Sequence, residues 1–268
     1  MSLEICSLAS GSSGNCYVVR SRNTALLVDA GISARRIRNG LGCLDLEPGN
    51  LDGVLITHEH TDHISGLKTL SRTADLKIYA NEETFRGMRV PLPEDRCRRF
   101  STGDEFQVGE VGVRTFAVSH DTADPVGYSL SFQGRRITIV TDTGIVNRTL
   151  MEEIRDADIL VLESNHDESI LRMGKYPWFL KQRILGEQGH LSNEAAARAL
   201  AAVLQDEMRL GQQKRRRVLL AHLSRENNFP EMAVATVENI LEESGCAVGN
   251  DTQLIPLSRT EISPIYSV

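Results

Sequence analysis

Thr57-His58-Glu59-His60-Thr61-Asp62-His63 is the stretch on which the fold of this chain turns. It follows Gly53-Val54-Leu55-Ile56, an apolar run with the length of a short buried strand. It precedes Ile64 to Leu70, where apolar residues at 64, 67 and 70 predict a helix. The histidines and the aspartate therefore sit on a strand-to-helix turn. Three of the seven histidines fall within these six positions. Imidazole with carboxylate is a donor set that zinc, manganese and iron all accept. His58 and His60 are two apart and point the same way on extended chain. Asp62 and His63 lie past the bend and aim at a second point. A polar, His-rich surface loop is the plain alternative, and such clustering in an otherwise ordinary composition argues against it.

Working outward, 268 residues with 41% hydrophobic and 25% charged content describe a soluble globular chain with a proper core. No apolar run is long enough to span a bilayer, so no membrane partner is expected. Met1 to Ile5 lacks the basic start and apolar core of a secretory signal. The five cysteines, at 6, 16, 43, 97 and 246, form no CxxC pair. Reduced, mostly buried thiols in a cytoplasmic protein are the simplest account. A net charge of −6 excludes a wholly basic coat but leaves room for a local basic groove. No low-complexity tract or shift in composition divides the chain, which predicts a single α/β domain over 1–268.

Strands are expected at 3–8, 16–20, 24–29, 53–57, 77–80, 106–108, 111–118, 128–132, 136–140, 158–163 and 218–221. Helices are expected from about Ser33, over 82–88, over 148–156, from a Ser192 or Asn193 cap to about Leu210, and from Pro230 to Gly245. Residues 170–191 read as the least regular part, and 212–217 as a solvated basic loop. The joint Ser10-Gly11-Ser12-Ser13-Gly14-Asn15 is either a flexible turn or a small-residue loop whose amides approach a phosphate.

One pattern recurs along the chain. Strands end at Asp29, at the 58–63 turn, at His120, at Asp142, at His166 and at His222. Ligands at strand ends are how α/β folds build sites. His58, His60 and His120 can hold one ion, and Asp62, His63 and His222 a second. Asp142 can face both, since a carboxylate has two oxygens.

The residues His58-x-His60-x-Asp62-His63, followed in order by His120, Asp142 and His222, resemble the signature of the metallo-β-lactamase superfamily. Asp29, in Leu-Val-Asp-Ala-Gly, resembles that family's early aspartate behind the ligands. The resemblance covers roughly residues 3 to 260. It implies an αββα sandwich with a binuclear metal site at the edge of the two sheets. Within the superfamily, Gly11-Ser12-Ser13-Gly14-Asn15, Glu163-Ser164-Asn165-His166-Asp167, Tyr176-Pro177-Trp178 and Gly189-His190-Leu191-Ser192-Asn193 look like the YycJ/WalJ-like branch. That branch resembles exonucleases acting on DNA. There is no room between 142 and 222 for a large inserted β-CASP domain.

Gly189-His190-Leu191-Ser192 and Ala221-His222-Leu223-Ser224 echo each other. His222 ends an apolar strand and is taken as the metal ligand. His190 precedes a helix N-terminus, a natural anion site, and is taken with Asp62 as a catalytic group. His166 stands either behind the ligands or against substrate. Ser12, Asn15, Lys175, Trp178, Lys181, Arg183 and Ser192 form the expected substrate-facing set, with core packing the alternative for the aromatics. The implied reaction is attack of a metal-bridged hydroxide on a phosphodiester, with two zinc or manganese ions and iron less suited. Nucleic acid, DNA ahead of RNA, is the expected partner. A thioester or acyl hydrolase on the same two metals is the rival, and it has no need of the cations of 175–183.

Overall fold

A computed structural model of the chain describes residues 2–246, 249 and 252–268. The chain forms two compact units, Met1–Ala117 with Thr122–Arg135 and Ser258–Val268, and Val118–Asp121 with Arg136–Leu257. The described strands make up two seven-stranded sheets.

The first unit holds strands β1 (Glu4–Ala9), β2 (Cys16–Arg20), β3 (Ala25–Val28), β4 (Gly53–Leu55), β5 (Ile78–Asn81) and β6 (Cys97–Phe100). With the late strand β14 (Tyr266–Ser267) they form one sheet in the order β14-β1-β2-β3-β4-β5-β6. Strands β1 to β3 pair antiparallel, and β3 to β6 pair parallel. Helix α1 (Ala34–Gly42) starts where the Ser33 hydroxyl accepts from the Arg36 amide, and it buries Ala34, Ile37 and Leu41. Helix α3 (Leu67–Thr73) buries Leu67 and Leu70. These side chains join Leu8, Val18, Leu27, Val54 and Ile78 in one apolar core. An antiparallel meander, β7 (Glu105–Val108), β8 (Val111–Ala117) and β9 (Val126–Phe132), belongs to the same unit. Phe106 lies 5.6 Å from the Tyr79 ring and 5.5 Å from the Phe100 ring. The fully buried Tyr128 donates its hydroxyl to the Ile56 carbonyl at 2.6 Å, one residue ahead of Thr57.

The second unit is a parallel α/β array. Strands β10 (Arg135–Val140), β11 (Ile159–Glu163), β12 (Arg216–Ala221) and β13 (Thr252–Pro256) pair parallel in that order. All five residues of β11 are buried, as expected of a parallel strand covered on both faces. Helices α5 (Arg148–Asp156), α8 (Asn193–Leu210) and α9 (Pro230–Glu243) pack around these strands. Ser192 caps α8 by accepting from Ala195, and Gly211 ends it in the left-handed conformation at φ 67°.

Several expectations are corrected. The helix anticipated over 64–70 is two pieces, α2 (Thr61–Ile64) and α3, separated around Gly66. A Cβ on Gly66 would lie 2.1 Å from the Ile32 carbonyl oxygen, so the chain passes too close for a continuous side-chain-bearing helix. Asp62 and His63 are thus on α2 rather than in a loop. Edge strand β6 was not anticipated, because Cys97-Arg98-Arg99-Phe100 has no apolar alternation. A short helix α4 (Glu82–Gly87) stands where one was expected. Residues 170–191 are more regular than expected and hold α6 (Glu168–Met173) and α7 (Trp178–Leu185). Arg216, placed in a solvated loop by sequence, is buried and ion-paired to Glu207. Cys6, Cys16 and Cys246 are buried free thiols, while Cys43 is exposed and Cys97 half-buried. Among the described residues no helix is long and apolar enough to cross a membrane.

The Arg216–Glu207 pair generates a stability prediction. Arg216→Met leaves a buried carboxylate without its cation, and urea unfolding is expected to show a loss of about 3–5 kcal/mol. The Arg216→Met/Glu207→Leu double variant is expected to recover most of that loss. An equal loss in the double variant would assign the effect to the contacts of Arg216 with the Ile154 and Arg155 carbonyls.

Candidate metal-ligating clusters

In the first unit the Thr57–His63 turn leaves β4 and enters α2. Its geometry is set from below by Asp29, which is buried and sits just past β3 at φ 59°. Asp29 accepts from the Thr57 amide at 2.9 Å, from the Thr57 hydroxyl at 2.9 Å, and from His63 Nδ1 at 2.7 Å. With its proton on Asp29, the Thr57 hydroxyl accepts from His58 Nδ1 at 3.0 Å. Both buried imidazoles are therefore protonated at Nδ1, and each carries its basic lone pair on Nε2. The His58 ring lies 4.8 Å from His60 and 4.0 Å from His63, centre to centre, so the turn gathers all three imidazoles. Asp62 Oδ2 is 3.7 Å from His63 Nε2.

The Ser10–Asn15 loop is tied to this turn by backbone. Asn15 N donates to the Asp62 carbonyl at 2.8 Å, Gly31 N to the Asn15 carbonyl at 2.9 Å, and Ala30 N to the His63 carbonyl at 2.8 Å. A Cβ on Gly31 would lie 1.6 Å from the Asp62 oxygen, so only glycine fits there. The fully buried Asn15 side chain accepts from Gly11 N at 2.9 Å and meets His63 Nε2 with its amide nitrogen at 3.1 Å. Asn15 was expected to face substrate, and it instead supports the turn. Ser12 is exposed on the same loop.

In the second unit the centre is Glu163, the last residue of β11, a fully buried carboxylate. Its Oε1 accepts from His190 Nδ1 at 2.8 Å and from His222 Nδ1 at 2.7 Å. Its Oε2 accepts from Thr143 N at 2.9 Å and Leu191 N at 3.2 Å. Burial works to raise the Glu163 carboxyl, but the two imidazoles outweigh it and hold it below the ordinary carboxylate range. Asp142 Oδ1 lies 3.4 Å from His222 Nδ1, 3.7 Å from His190 Nδ1 and 3.8 Å from His120 Nε2. Asp142, Glu163, His190 and His222 each offer one ligand atom within 4.8 Å of the others. His120 donates Nδ1–H to the Gly189 carbonyl at 3.1 Å, and burial keeps the imidazole neutral by lowering its pKa.

Asp142 and His222 adopt φ 57° and 56°, so three strand-end residues of these clusters, with Asp29, hold a backbone conformation that side chains rarely take. Such strain, of order 1–3 kcal/mol each, persists only where surrounding structure enforces it.

The donor chemistry fits divalent cations. His58, His63, His120 and His222 all have Nδ1 held by an oxygen, which directs the Nε2 lone pair outward from its anchor. This is the arrangement that buried carboxylates and carbonyls impose on metal-binding histidines. No thiolate takes part, which suits harder or borderline ions.

Other expected residues are placed differently. His166 is buried, its Nδ1 is 3.4 Å from Asn165 Oδ1, burial lowers its pKa to about 4, and its Nε2 has no protein partner. It stands beside Ser192, the α8 cap, with which it forms a parallel bridge. Lys181 departs from the substrate-facing set: it is buried and donates to the Arg172 and Gly174 carbonyls at 2.7 Å each. Arg183 pairs with Asp121. Lys175 and Trp178 are exposed. Sequence reasoning missed Glu163 and Thr57 as positioning residues. The strand-end rule contained the signal for Glu163, a carboxylate closing the apolar run Ile159-Leu160-Val161-Leu162.

Two outcomes are expected. Glu163→Gln, which weakens the hold on both imidazoles, should lower divalent-metal affinity roughly 10- to 100-fold with the fold retained. Competition with a chromogenic chelator measures this, and unchanged affinity would remove Glu163 from its role. Gly31→Ala must push the Asp62 backbone away, and it should lower both thermal stability and metal affinity. A variant with parent-like values for both would mean the turn tolerates displacement.

The β-lactamase superfamily domain model matches residues 24–223. The chain is 42% identical over 252 residues to exodeoxyribonuclease YycJ of Bacillus anthracis, covering 93% of each. It is 36% identical over 266 residues to exodeoxyribonuclease WalJ of Streptococcus pneumoniae, covering 97% of this chain and 96% of that one. The fold is similar to the crystal structure of the metallo-β-lactamase fold protein YhfI from Bacillus subtilis, with a TM-score of 0.72 at 14% identity and full coverage of both chains. The chain belongs to the β-lactamase superfamily, as a metal-dependent hydrolase of the metallo-β-lactamase fold.

Proposed function

We propose that the chain is a binuclear phosphodiesterase that degrades DNA from its ends. The observation that carries this reading is the set of Nδ1-anchored imidazoles around Asp29 and Glu163, in a chain that aligns nearly end to end with relatives named exodeoxyribonucleases. His58, His60 and His120 would hold one divalent cation, Asp62, His63 and His222 a second, and Asp142 would serve both. Zinc or manganese suits these nitrogen and oxygen donors. Such cations supply Lewis acidity for the phosphoryl oxygens and a water acidic enough to attack near neutral pH.

The chain's own groups supply the rest. Asp29, Thr57 and Glu163 fix the tautomers of the ligands. His190 is the more accessible of the two imidazoles on Glu163, at 19% side-chain exposure against 1% for His222. Its Nδ1–H is held by Glu163, so Nε2 is the atom that carries a proton to the departing oxygen. The buried Glu163 carboxylate stabilises the imidazolium before that transfer. Free thiols suit a reducing compartment, and we place the protein in the cytoplasm.

Elemental analysis should find about two divalent ions per chain. His222→Ala should lose metal and activity together. His190→Ala should keep its metal yet lose roughly 10²- to 10⁴-fold in kcat, the range for one proton-transfer group. Activity should fall as salt rises, because phosphate contacts release counterions. Labelled single- and double-stranded DNA and RNA, run beside a thioester panel, test the substrate class. Thioester turnover without nucleic-acid cleavage would sink the phosphodiesterase reading, and metal loss in His190→Ala with retention in His222→Ala would reverse the two histidines.

A further inference from the structure

Asn165 and His166 are buried, at 3% and 1% exposure, and the chemistry derived above gives neither a task. They follow β11 and lie against both echoing segments, 189–192 and 221–224. Those segments share one device. Ser192 accepts from the Ala195 amide and Ser224 from the Asn227 amide, each three residues on.

Asn165 grips both segments. Its backbone N donates to the Leu191 carbonyl at 2.9 Å, and its carbonyl accepts from the Ser224 amide at 2.8 Å. Its side-chain Nδ2 donates to the His222 carbonyl at 2.8 Å. Asn228 secures the same stretch, with its amide nitrogen on the Ser164 carbonyl at 2.8 Å and the Asn165 carbonyl at 3.1 Å.

The side-chain bond falls on a strained residue. Strands β11 and β12 pair in parallel register as far as Glu163 and Ala221. Ser164 N still donates to the Ala221 carbonyl at 2.9 Å. His222 then turns to φ 56°, which takes its peptide out of the strand direction. One residue on, the side-chain amide of Asn165 meets the displaced carbonyl. An unfavourable φ persists only while neighbours enforce it, and this bond acts on the strained residue itself.

His166 settles which way the carboxamide faces. A carbonyl oxygen only accepts, so the His222 carbonyl requires the nitrogen of the Asn165 amide. The amide oxygen is then turned to His166 Nδ1, at 3.4 Å, and that nitrogen carries the proton. Burial lowers the His166 pKa to about 4, so the ring is neutral and has one N–H to give. The residue is itself fixed, because the Asn193 amide donates to its carbonyl at 2.9 Å.

We propose that Asn165 is the positioning residue of His222. Its carboxamide, oriented by His166 Nδ1–H, clamps the left-handed backbone at His222 and so aims the imidazole away from Glu163 toward a metal ion. The role rests on the reading of His222 as a metal ligand, and it asks neither residue to touch substrate. The side chain acts on the 221–224 segment, since the bond from Asn165 to the 189–192 segment is a backbone one that any side chain retains.

Four variants test the clamp. Asn165→Asp keeps the shape and sets an oxygen against the His222 carbonyl. His166→Leu removes the N–H, His166→Asn returns one near the place of Nδ1, and His166→Gln returns one near the place of Nε2. Stepwise zinc affinity of the metal-stripped full chain, by chelator competition, is read beside the unfolding temperature and beside kcat and KM of the metal-loaded chain on labelled DNA. Asn165→Asp and His166→Leu are expected to weaken one of the two binding steps roughly 10- to 100-fold and to lower kcat with KM unchanged. His166→Asn should recover the parent values and His166→Gln should not. If Asn165→Asp does not fold, the three His166 variants decide alone. Three results would each overturn the clamp: parent-like zinc affinity in Asn165→Asp, rescue by glutamine in place of asparagine at 166, or both binding steps weakened alike with a lowered unfolding temperature. A parent that cleaves DNA while all four variants bind zinc as it does fails the clamp alone. A parent that binds two zinc ions and cleaves no DNA fails the DNA-degrading reading, and selective loss of one binding step in Asn165→Asp would still uphold the clamp.

Discussion

A carboxylate with no access to water sits at the end of β11 and receives four hydrogen bonds. Placing a charge there costs several kcal/mol in desolvation. The cost is offset because Glu163 gathers His190 and His222 on one oxygen and the Thr143 and Leu191 amides on the other. Its pull on the imidazoles fixes which nitrogen of each keeps a proton. With Nδ1 of both rings turned to Glu163, a proton on Nε2 instead would leave no lone pair on the side that faces away from the carboxylate. Removing the carboxylate would release two side chains and two loop amides at once.

Asp29 does the same in the first unit with different partners. It holds His63 directly and His58 through the Thr57 hydroxyl. Both carboxylates stand at or just past the end of a buried strand, where the sheet makes the backbone stiff and the side chain emerges from it. The left-handed backbone at Asp29, Asp142 and His222 is the counterpart of that stiffness. A chain that must leave a strand sharply and still aim a short side chain at a fixed point accepts an unfavourable φ, and neighbouring hydrogen bonds keep it there.

The α6–α7 segment follows another logic. Its lysine is spent on carbonyls at a helix end, and its aromatics face water. A cation buried for structure beside exposed apolar rings inverts the usual sorting of residue types. The inversion leaves Met173, Trp178 and Phe179 exposed on a segment anchored by Lys181.

Much of this was legible in the sequence. The His58–His63 spacing, the run of strands ending in His or Asp, and the cap at Ser192 are local patterns, set by side-chain periodicity and turn chemistry over a few residues. They made most strands and the longer helices legible and nominated the donor residues, while β6, α6 and α7 escaped. What the sequence left open needed contacts between distant positions. No local pattern says that Glu163 lies under both His190 and His222, that Asn15 supports His63, that Lys181 turns inward, or that Arg216 is buried against Glu207. Edge strand β6 escaped because its pairing with β5 supplies the order its own composition lacks. The sequence by itself determined the superfamily and nominated the His and Asp donors at strand ends, because residue type and spacing are written locally. The tertiary structure alone decided which atom of each group is presented, because tautomer, burial and direction depend on partners that are far away in the chain and adjacent only when it is folded.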